Sequence, residues 1–246
     1  MCRLFAIRSE EPVRVNRAFA ALKNRSHEHK DGWGLALFDD GAPAIEVSVK
    51  AAHACHRFDE LSMSLSTKSM LTHLRLASQG DVSERNAHPF RHENWAFMHN
   101  GTLQNFDERY ERVEALIAPD YRARLCGETD SERCFYLFLT HLRRFAKPST
   151  REAAVALAHT VRDVVDIFDV ASTAKERTTT NFVAFDGNTL LACRHGKDLF
   201  HAFTGTAHFI ASEPLWPDDP WVAIEEDSVL AIDNSLAAQR WAFSQL

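Results

Sequence analysis

Apolar and polar positions partly alternate through CRLFAIRS (residues 2–9), and that period of two predicts a strand. NRAFAALKNR (16–25) instead has helical spacing, with Phe19 and Leu22 on one face. GWGLALFDDGAPAIEVSVK (32–50) reads as two strands joined by a turn at Asp39-Asp40-Gly41. MLTHLRLAS (70–78) and WAFMHNG (95–101) are short apolar runs that end in polar residues, as strands do where a sheet presents chemistry. The pattern then turns helical. TDSERCFYLFLTHLRRFA (129–146) predicts a helix capped by Asp130 or Ser131, and TREAAVALAHTVRDVVDIF (150–168) a second capped by Ser149 or Thr150. Strands return with TNFVAFDGNTLLACRHG (180–196), a hairpin about Asp186-Gly187-Asn188, and with AHFIASEPL (207–215) and SVLAIDN (228–234). Strands, two long helices, then strands again describe one α+β domain over residues 1–246, its late strands joining sheets begun by the early ones. No internal repeat or low-complexity linker interrupts it.

Composition narrows the function classes. The 246 residues are 45% hydrophobic and 25% charged, as in ordinary globular proteins, and long enough for one large core or two modest ones. A net charge of −6 argues against a nucleic-acid partner, which asks for a basic face. No run of about 18 apolar residues is present, so no membrane partner is expected, and the apolar stretch from Cys2 to Ile7 is too short for a signal peptide. Five irregularly spaced cysteines (Cys2, Cys55, Cys126, Cys134 and Cys193) fit reduced thiols and a cytoplasmic setting rather than a disulfide framework.

Several short stretches carry residues that folding does not require. Cys2 follows the initiator methionine. Excision of Met1 would leave a thiol and a free α-amine on one residue, a nucleophile with its own base; the plainer reading is a small apolar residue entering a buried strand. His73 and Arg75, two apart on a strand, share a face; that face is either a site or a solvated sheet surface. His88 precedes a proline in NAHPF. His99-Asn100-Gly101 ends an apolar strand. Asn-Gly favours a turn, yet it also offers an amide and an unencumbered N–H to an oxyanion. Glu128, Asp130 and Glu132 surround a helix start, where capping and the helix dipole explain them equally well. Taken together, a nucleophile, an oxyanion hole, the Arg75 clamp for a carboxylate and the Asp130 carboxylate for an ammonium suit an α-amino acid attacked at its side chain. His27, His29, His53, Cys55 and His56 are too irregular for a zinc site, so no metal is expected.

Cys2, the HLR of His73–Arg75, NAHPF, HNG and ETDSE occur in the order found in class II glutamine amidotransferases, which are N-terminal-nucleophile hydrolases. DGWG (31–34) and ASEPL (211–215) fit as well, so the resemblance runs from residue 1 to about 215. KDGWG with GETDSE most resembles the short stand-alone, YafJ-like members. The resemblance implies a four-layer αββα sandwich and no cofactor. It implies Cys2 as nucleophile, Asn100 and Gly101 as oxyanion hole, and Arg75 and Asp130 as holders of the substrate α-carboxylate and α-ammonium. Ser78 stands where many relatives have threonine, and His88 matches a histidine near the bound amino acid. Leu76 departs from the aromatic that often follows the arginine. The implied reaction is cleavage of the glutamine side-chain amide through a Cys2 thioester, releasing ammonia and glutamate. Hydrolysis of γ-glutamyl peptides or amides at the same site is the alternative. The residues beyond the resemblance are too few for a synthase domain, so ammonia passes to a separate subunit or is simply released. A homo-oligomer is compatible with all of this. The Asp81–Arg85 loop and the His27–Lys30 segment are candidates for closing over the substrate.

Overall fold

The computed structural model describes residues 2–39, 41–169 and 177–246. Met1 and Asp40, the latter at the centre of the expected first turn, lie outside the described residues. The strands are β1 (Arg3–Arg14), β2 (Trp33–Leu37), β3 (Ala44–Ser48), β4 (Ser66–Leu74), β5 (Phe90–His92), β6 (Trp95–Thr102), β7 (Thr179–Phe185), β8 (Leu190–Arg194), β9 (Phe200–Phe203), β10 (Ala207–Ala211), β11 (Val222–Ala223), β12 (Ser228–Ile232) and β13 (Ala238–Ala242). The α-helices are α1 (Asn16–Arg25), α2 (His56–Ser64), α3 (Phe106–Leu116), α4 (Pro119–Arg122), α5 (Asp130–Leu142) and α6 (Thr150–Phe168). Among the described residues the strands form two sheets, ordered β11-β9-β10-β1-β4-β2-β3 and β13-β12-β8-β7-β6-β5. Every pairing is antiparallel.

Strand alternation sorts the apolar residues into three cores, and three cores between four layers make the αββα sandwich. Leu4 and Ala6 of β1, Leu71 of β4, Met98 of β6 and Val183 of β7 fill the space between the sheets. Their neighbours Phe5 and Ile7 turn the other way and meet Phe19, Leu22, Phe58 and Leu61 of α1 and α2. Phe97 and Phe182 turn toward Phe135, Phe138 and Leu157 of α5 and α6. The period of two thus gives each central strand two buried faces, which its near-continuous apolar run reflects. The expected joining of late strands to early ones is present: β10 pairs with β1 (Phe5 opposite Ala211), and β7 with β6 (Met98 opposite Val183).

Three local expectations are corrected. The cap of α5 is Thr129, not Asp130 or Ser131; its side chain accepts the Glu132 N–H, and Asp130 is already helical. Asn100-Gly101 is not a turn, because pairing with Asn181 and Thr180 of β7 keeps both residues in β6. The His73/Arg75 face is not a solvated surface: both side chains are buried. For α6, Ser149 is the cap, and with Glu152 it completes a reciprocal capping box.

Candidate active site

Strand register brings the candidate residues to one end of the inter-sheet layer. Arg3 lies opposite Leu74, so one further step places Cys2 beside Arg75. The Cys2 Sγ accepts the Leu76 N–H at 3.4 Å and lies 3.5 Å from the Leu76 carbonyl. Even positions of β1 and odd positions of β4 face the second sheet, as Leu4, Ala6 and Leu71 show, so Cys2, His73 and Arg75 inherit that direction. From β6 of the other sheet His99 and Gly101, and from the start of α5 Thr129, Asp130 and Ser131, reach the same pocket, which Cys2, Arg75, Leu76, Ala77, Ser78, Gln79 and His88 complete. Asn100 is buried beside it, and its Oδ1 has no hydrogen-bond partner, so nothing in the fold engages that oxygen.

The DGWG stretch shapes the exit of β4. Asp31 Oδ2 accepts the Ala77 N–H at 2.8 Å, and the Asp31 and Arg75 main chains bracket the same turn (Asp31 N to Arg75 O, 3.1 Å; Arg75 N to Gly32 O, 2.9 Å). At Gly34 a Cβ would stand 1.9 Å from the His88 carbonyl, so only glycine lets the NAHPF segment close on β2. Gly101 is equally constrained: a Cβ would lie 1.9 Å from the Thr179 carbonyl and 2.4 Å from the His99 Nε2.

Burial dominates the electrostatics. It pushes the Cys2 thiol up, opposed by the hydrogen bond with the Leu76 backbone and by the Arg75 charge. A raised thiol stays protonated at neutral pH, and a base is needed to make the thiolate. Burial lowers the pKa values of the three histidines under the site, His73 to about 3 and His88 and His99 in the same direction, so all three are neutral. Their tautomers follow from their partners. His99 Nε2 faces the Thr179 carbonyl at 3.0 Å and carries the proton, so Nδ1 accepts the Ser131 hydroxyl proton at 2.9 Å. His73 Nε2 donates to the His99 carbonyl at 3.3 Å. The His88 ring packs against His73, tilted, with centroids 4.3 Å apart, and neither of its ring nitrogens has a partner.

Asp130 and Arg75 are each tied to a loop. Asp130 Oδ2 accepts the Leu103 N–H at 2.9 Å. Because the Ser131 hydroxyl proton goes to His99, Asp130 Oδ1, 3.2 Å from that hydroxyl, keeps its accepting capacity. The Arg75 guanidinium donates to the carbonyls of Asp81 (2.8 Å) and Gln79 (2.9 Å). The Gly80 carbonyl also lies 3.5 Å from Nη2, and the other N–H groups of the guanidinium remain for a ligand. Sequence reasoning assigned no role to Asp31 or Asn86 and considered Ser131 only as a helix cap; the quoted DGWG, NAHPF and ETDSE stretches contain them, but what they hold is visible only in three dimensions.

The other histidine clusters lie elsewhere. The rings of His27 and His53 stack at 4.0 Å, and His53 Nδ1 meets the Ser26 hydroxyl at 3.0 Å. Among the described residues one trio has metal-ligand proximity, His195 with Glu226 and Asp227. Arg177 already sits on it, 2.8 Å from His195 Nδ1 and 3.3 Å from Glu226, which makes it an ion-pair network. No described helix is long and apolar enough to cross a membrane.

A probable glutamine amidotransferase of Saccharomyces cerevisiae is 25% identical over 94% of this chain and 82% of its own length. The putative glutamine amidotransferase YafJ of Escherichia coli is 27% identical over 63% of this chain and 61% of its own. The fold matches a glutamine aminotransferase class-II domain protein from Silicibacter pomeroyi (TM-score 0.73, 20% identity, 98% and 99% of the two chains). It also matches the glutamine phosphoribosylpyrophosphate amidotransferase of Bacillus subtilis (TM-score 0.70, 17% identity), of which this chain spans 50%. The family model described as glutamine amidotransferases class-II matches residues 1–208. With that match over most of its length, the chain belongs to the class-II glutamine amidotransferases, enzymes with an N-terminal cysteine nucleophile.

Proposed function

We propose that the chain, as a single type 2 domain of the stand-alone YafJ-like kind, cleaves the side-chain amide of glutamine with Cys2 as nucleophile. The observation that carries this reading is the pocket in which Cys2 meets Arg75, Ser78, Gly101 and Asp130. Removal of Met1 frees the Cys2 α-amine, whose ordinary pKa of about 7.7–8.0 suits a base at neutral pH. The amine takes the thiol proton, directly or through one water, and the sulfur attacks the amide carbon. The Asn100 amide and the Gly101 N–H stabilise the oxyanion, each such donor contributing roughly 3–4 kcal/mol. Collapse of the tetrahedral intermediate expels ammonia, which leaves with the proton returned by the amine. Water then enters by the same route and releases glutamate, so glutamine and water give glutamate and ammonia.

Arg75 holds the substrate α-carboxylate with its remaining N–H donors, and Asp130 Oδ1 accepts from the α-ammonium. Ser78, exposed at the pocket rim, hydrogen-bonds the same amino-acid head. The neutral His88 edge lines the floor. The YafJ-like assignment rests on KDGWG and GETDSE, together with the likeness to YafJ itself. Five free cysteines suit a reducing, cytoplasmic setting.

The test is covalent trapping with a glutamine analogue that carries an electrophile in place of the amide. Peptide mapping by mass spectrometry is expected to place one adduct on a chain that starts at Cys2. An adduct elsewhere, or full activity in protein that retains Met1, overturns the reading. Profiling glutamine against γ-glutamyl peptides then fixes the leaving group; release of glutamate from the peptides alone would select the γ-glutamyl hydrolase alternative.

A further inference from the structure

The stretch from Leu76 to Arg85, which lines the pocket through Leu76, Ala77, Ser78 and Gln79, contains no fully buried residue; the first is Asn86. Such a loop has no apolar anchor of its own, and hydrogen bonds must set its position. Three groups supply them. Asp31 holds Ala77, and the Arg75 guanidinium holds the carbonyls of Gln79 and Asp81. Asn86, completely buried, ties the loop to a second one. Its Nδ2 donates toward Asp81 Oδ1 (2.7 Å) and Glu128 Oε2 (3.0 Å), with the Asp81 carbonyl also at 3.2 Å. Its Oδ1 accepts the Glu128 N–H at 2.9 Å. Both ends of one amide are therefore used: Nδ2 reaches both loops, and Oδ1 holds the second.

The surroundings are built to this amide. A Cβ at Gly80 would lie 2.7 Å from Asn86 Nδ2, and one at Gly127 would lie 2.5 Å from its Oδ1, so a glycine on each loop lets the side chain fit between them. Gly80 also has φ +68°, a conformation glycine takes without cost. Around this centre an exposed ring closes: Arg85 pairs with Asp81 at 3.3 Å and with Glu128 at 2.6 Å. The ring alone is a weak fastener, since exposed ion pairs contribute little; the buried amide is the part with a defined geometry.

The two loops carry the two charges proposed to hold the amino-acid head of the substrate. The first supplies the carbonyls that orient the Arg75 guanidinium, and the second runs directly into Thr129 and Asp130. We infer that Asn86 is a positioning residue: it fixes the separation of Arg75 and Asp130, and so the match to an α-amino acid head group, without touching the substrate itself. This rests on the reading of Arg75 and Asp130 given above.

The experiment compares Asn86→Ala, Asn86→Asp and Arg75→Lys with the parent enzyme. The aspartate variant keeps the side-chain shape and the acceptor, but loses both donors and sets a third carboxylate against Asp81 and Glu128. Each is assayed for glutamine kcat and KM, for alkylation of Cys2 by iodoacetamide, which lacks the amino-acid head, and for Tm. Both Asn86 variants are expected to raise KM for glutamine about tenfold, the scale of one hydrogen bond to a charged group, with alkylation unchanged. A parent-like KM in the Asn86 variants, while Arg75→Lys raises it, overturns the inference and spares the Arg75 reading. Alkylation that falls in step with turnover also overturns it, because the site as a whole has then collapsed. If Asn86→Ala does not fold, the isosteric aspartate variant carries the test. A parent-like KM in Arg75→Lys refutes the head-group reading itself, and the inference with it.

Discussion

At the scale of single residues, the site is made of groups whose alternatives are sterically or electrostatically closed. Gly101 is the clearest. Its missing Cβ gives room to the Thr179 carbonyl and to the His99 ring, and the same backbone N–H is proposed to face the oxyanion. Gly101→Ala must therefore open the β6–β7 pair or rotate His99, which severs the contacts to Thr179 and Ser131. Overpacking of this kind costs roughly 1–3 kcal/mol of stability, and glutamine turnover is expected to vanish with the displaced N–H. Asn100→Ala makes the contrasting case. The side-chain oxygen it removes has no partner in the fold, so its effect on Tm should be small, while kcat should drop roughly 10²–10³-fold through loss of an oxyanion donor. Steady-state kinetics and a thermal melt on the two variants read both outcomes. A large Tm loss in Asn100→Ala with turnover intact would reverse its assignment from chemistry to structure.

At the scale of elements, α6 offers a prediction independent of the site. Ser149 accepts the Glu152 N–H, and the Glu152 carboxylate reaches back to the Ser149 N–H at 2.8 Å. Ser149→Ala removes one half of that box, and a loss of about 1 kcal/mol, read by urea unfolding, is expected with kcat unchanged. The sequence narrowed this cap to Ser149 or Thr150, and the glutamate three residues after Ser149 is the signal that selects the serine. At α5 the signal was degenerate: Thr129, Asp130 and Ser131 are all good caps, and what decides among them is tertiary. Asp130 is drawn to Leu103 and Ser131 to His99, which leaves Thr129 for the helix. Asn100-Gly101 failed as a turn signal for the same kind of reason, since pairing along β7 outweighs local propensity. The candidate residues that line the pocket were picked out in the sequence by the order of short motifs, which resembles that of the family. Asn86 was not, because its role depends on two loops that approach only after the sheets have formed.

At the scale of the whole molecule, burial between layers has a consequence for pH. His73 sits where the two sheets meet, with the His88 and His99 rings and the Arg75 guanidinium around it, and its pKa falls to about 3. His201 of β9 lies at another meeting of the sheets. Its Nε2 donates to His208 Nδ1 at 2.8 Å, its Nδ1 accepts from Arg240 of β13 at 3.2 Å, and its pKa falls to about 4. Both rings are buried neutral, whereas in the unfolded chain a histidine takes up its proton near pH 6.5. Below that value the unfolded state binds more protons than the native one, so stability falls as pH falls. Each group contributes a slope of up to about 1.4 kcal/mol per pH unit; the His201 share levels off near pH 4, after a loss on the order of 3 kcal/mol, and the His73 share near pH 3. Urea unfolding at intervals from pH 7 to pH 4 should therefore show stability declining well above the range where carboxylates titrate. In His201→Gln, which cannot be protonated, the slope between pH 6.5 and pH 4 should shrink by about 1 kcal/mol per unit. An unchanged slope would mean that His201 reaches water in the native state, and that the two sheets do not close over it as the Arg240 and His208 contacts require.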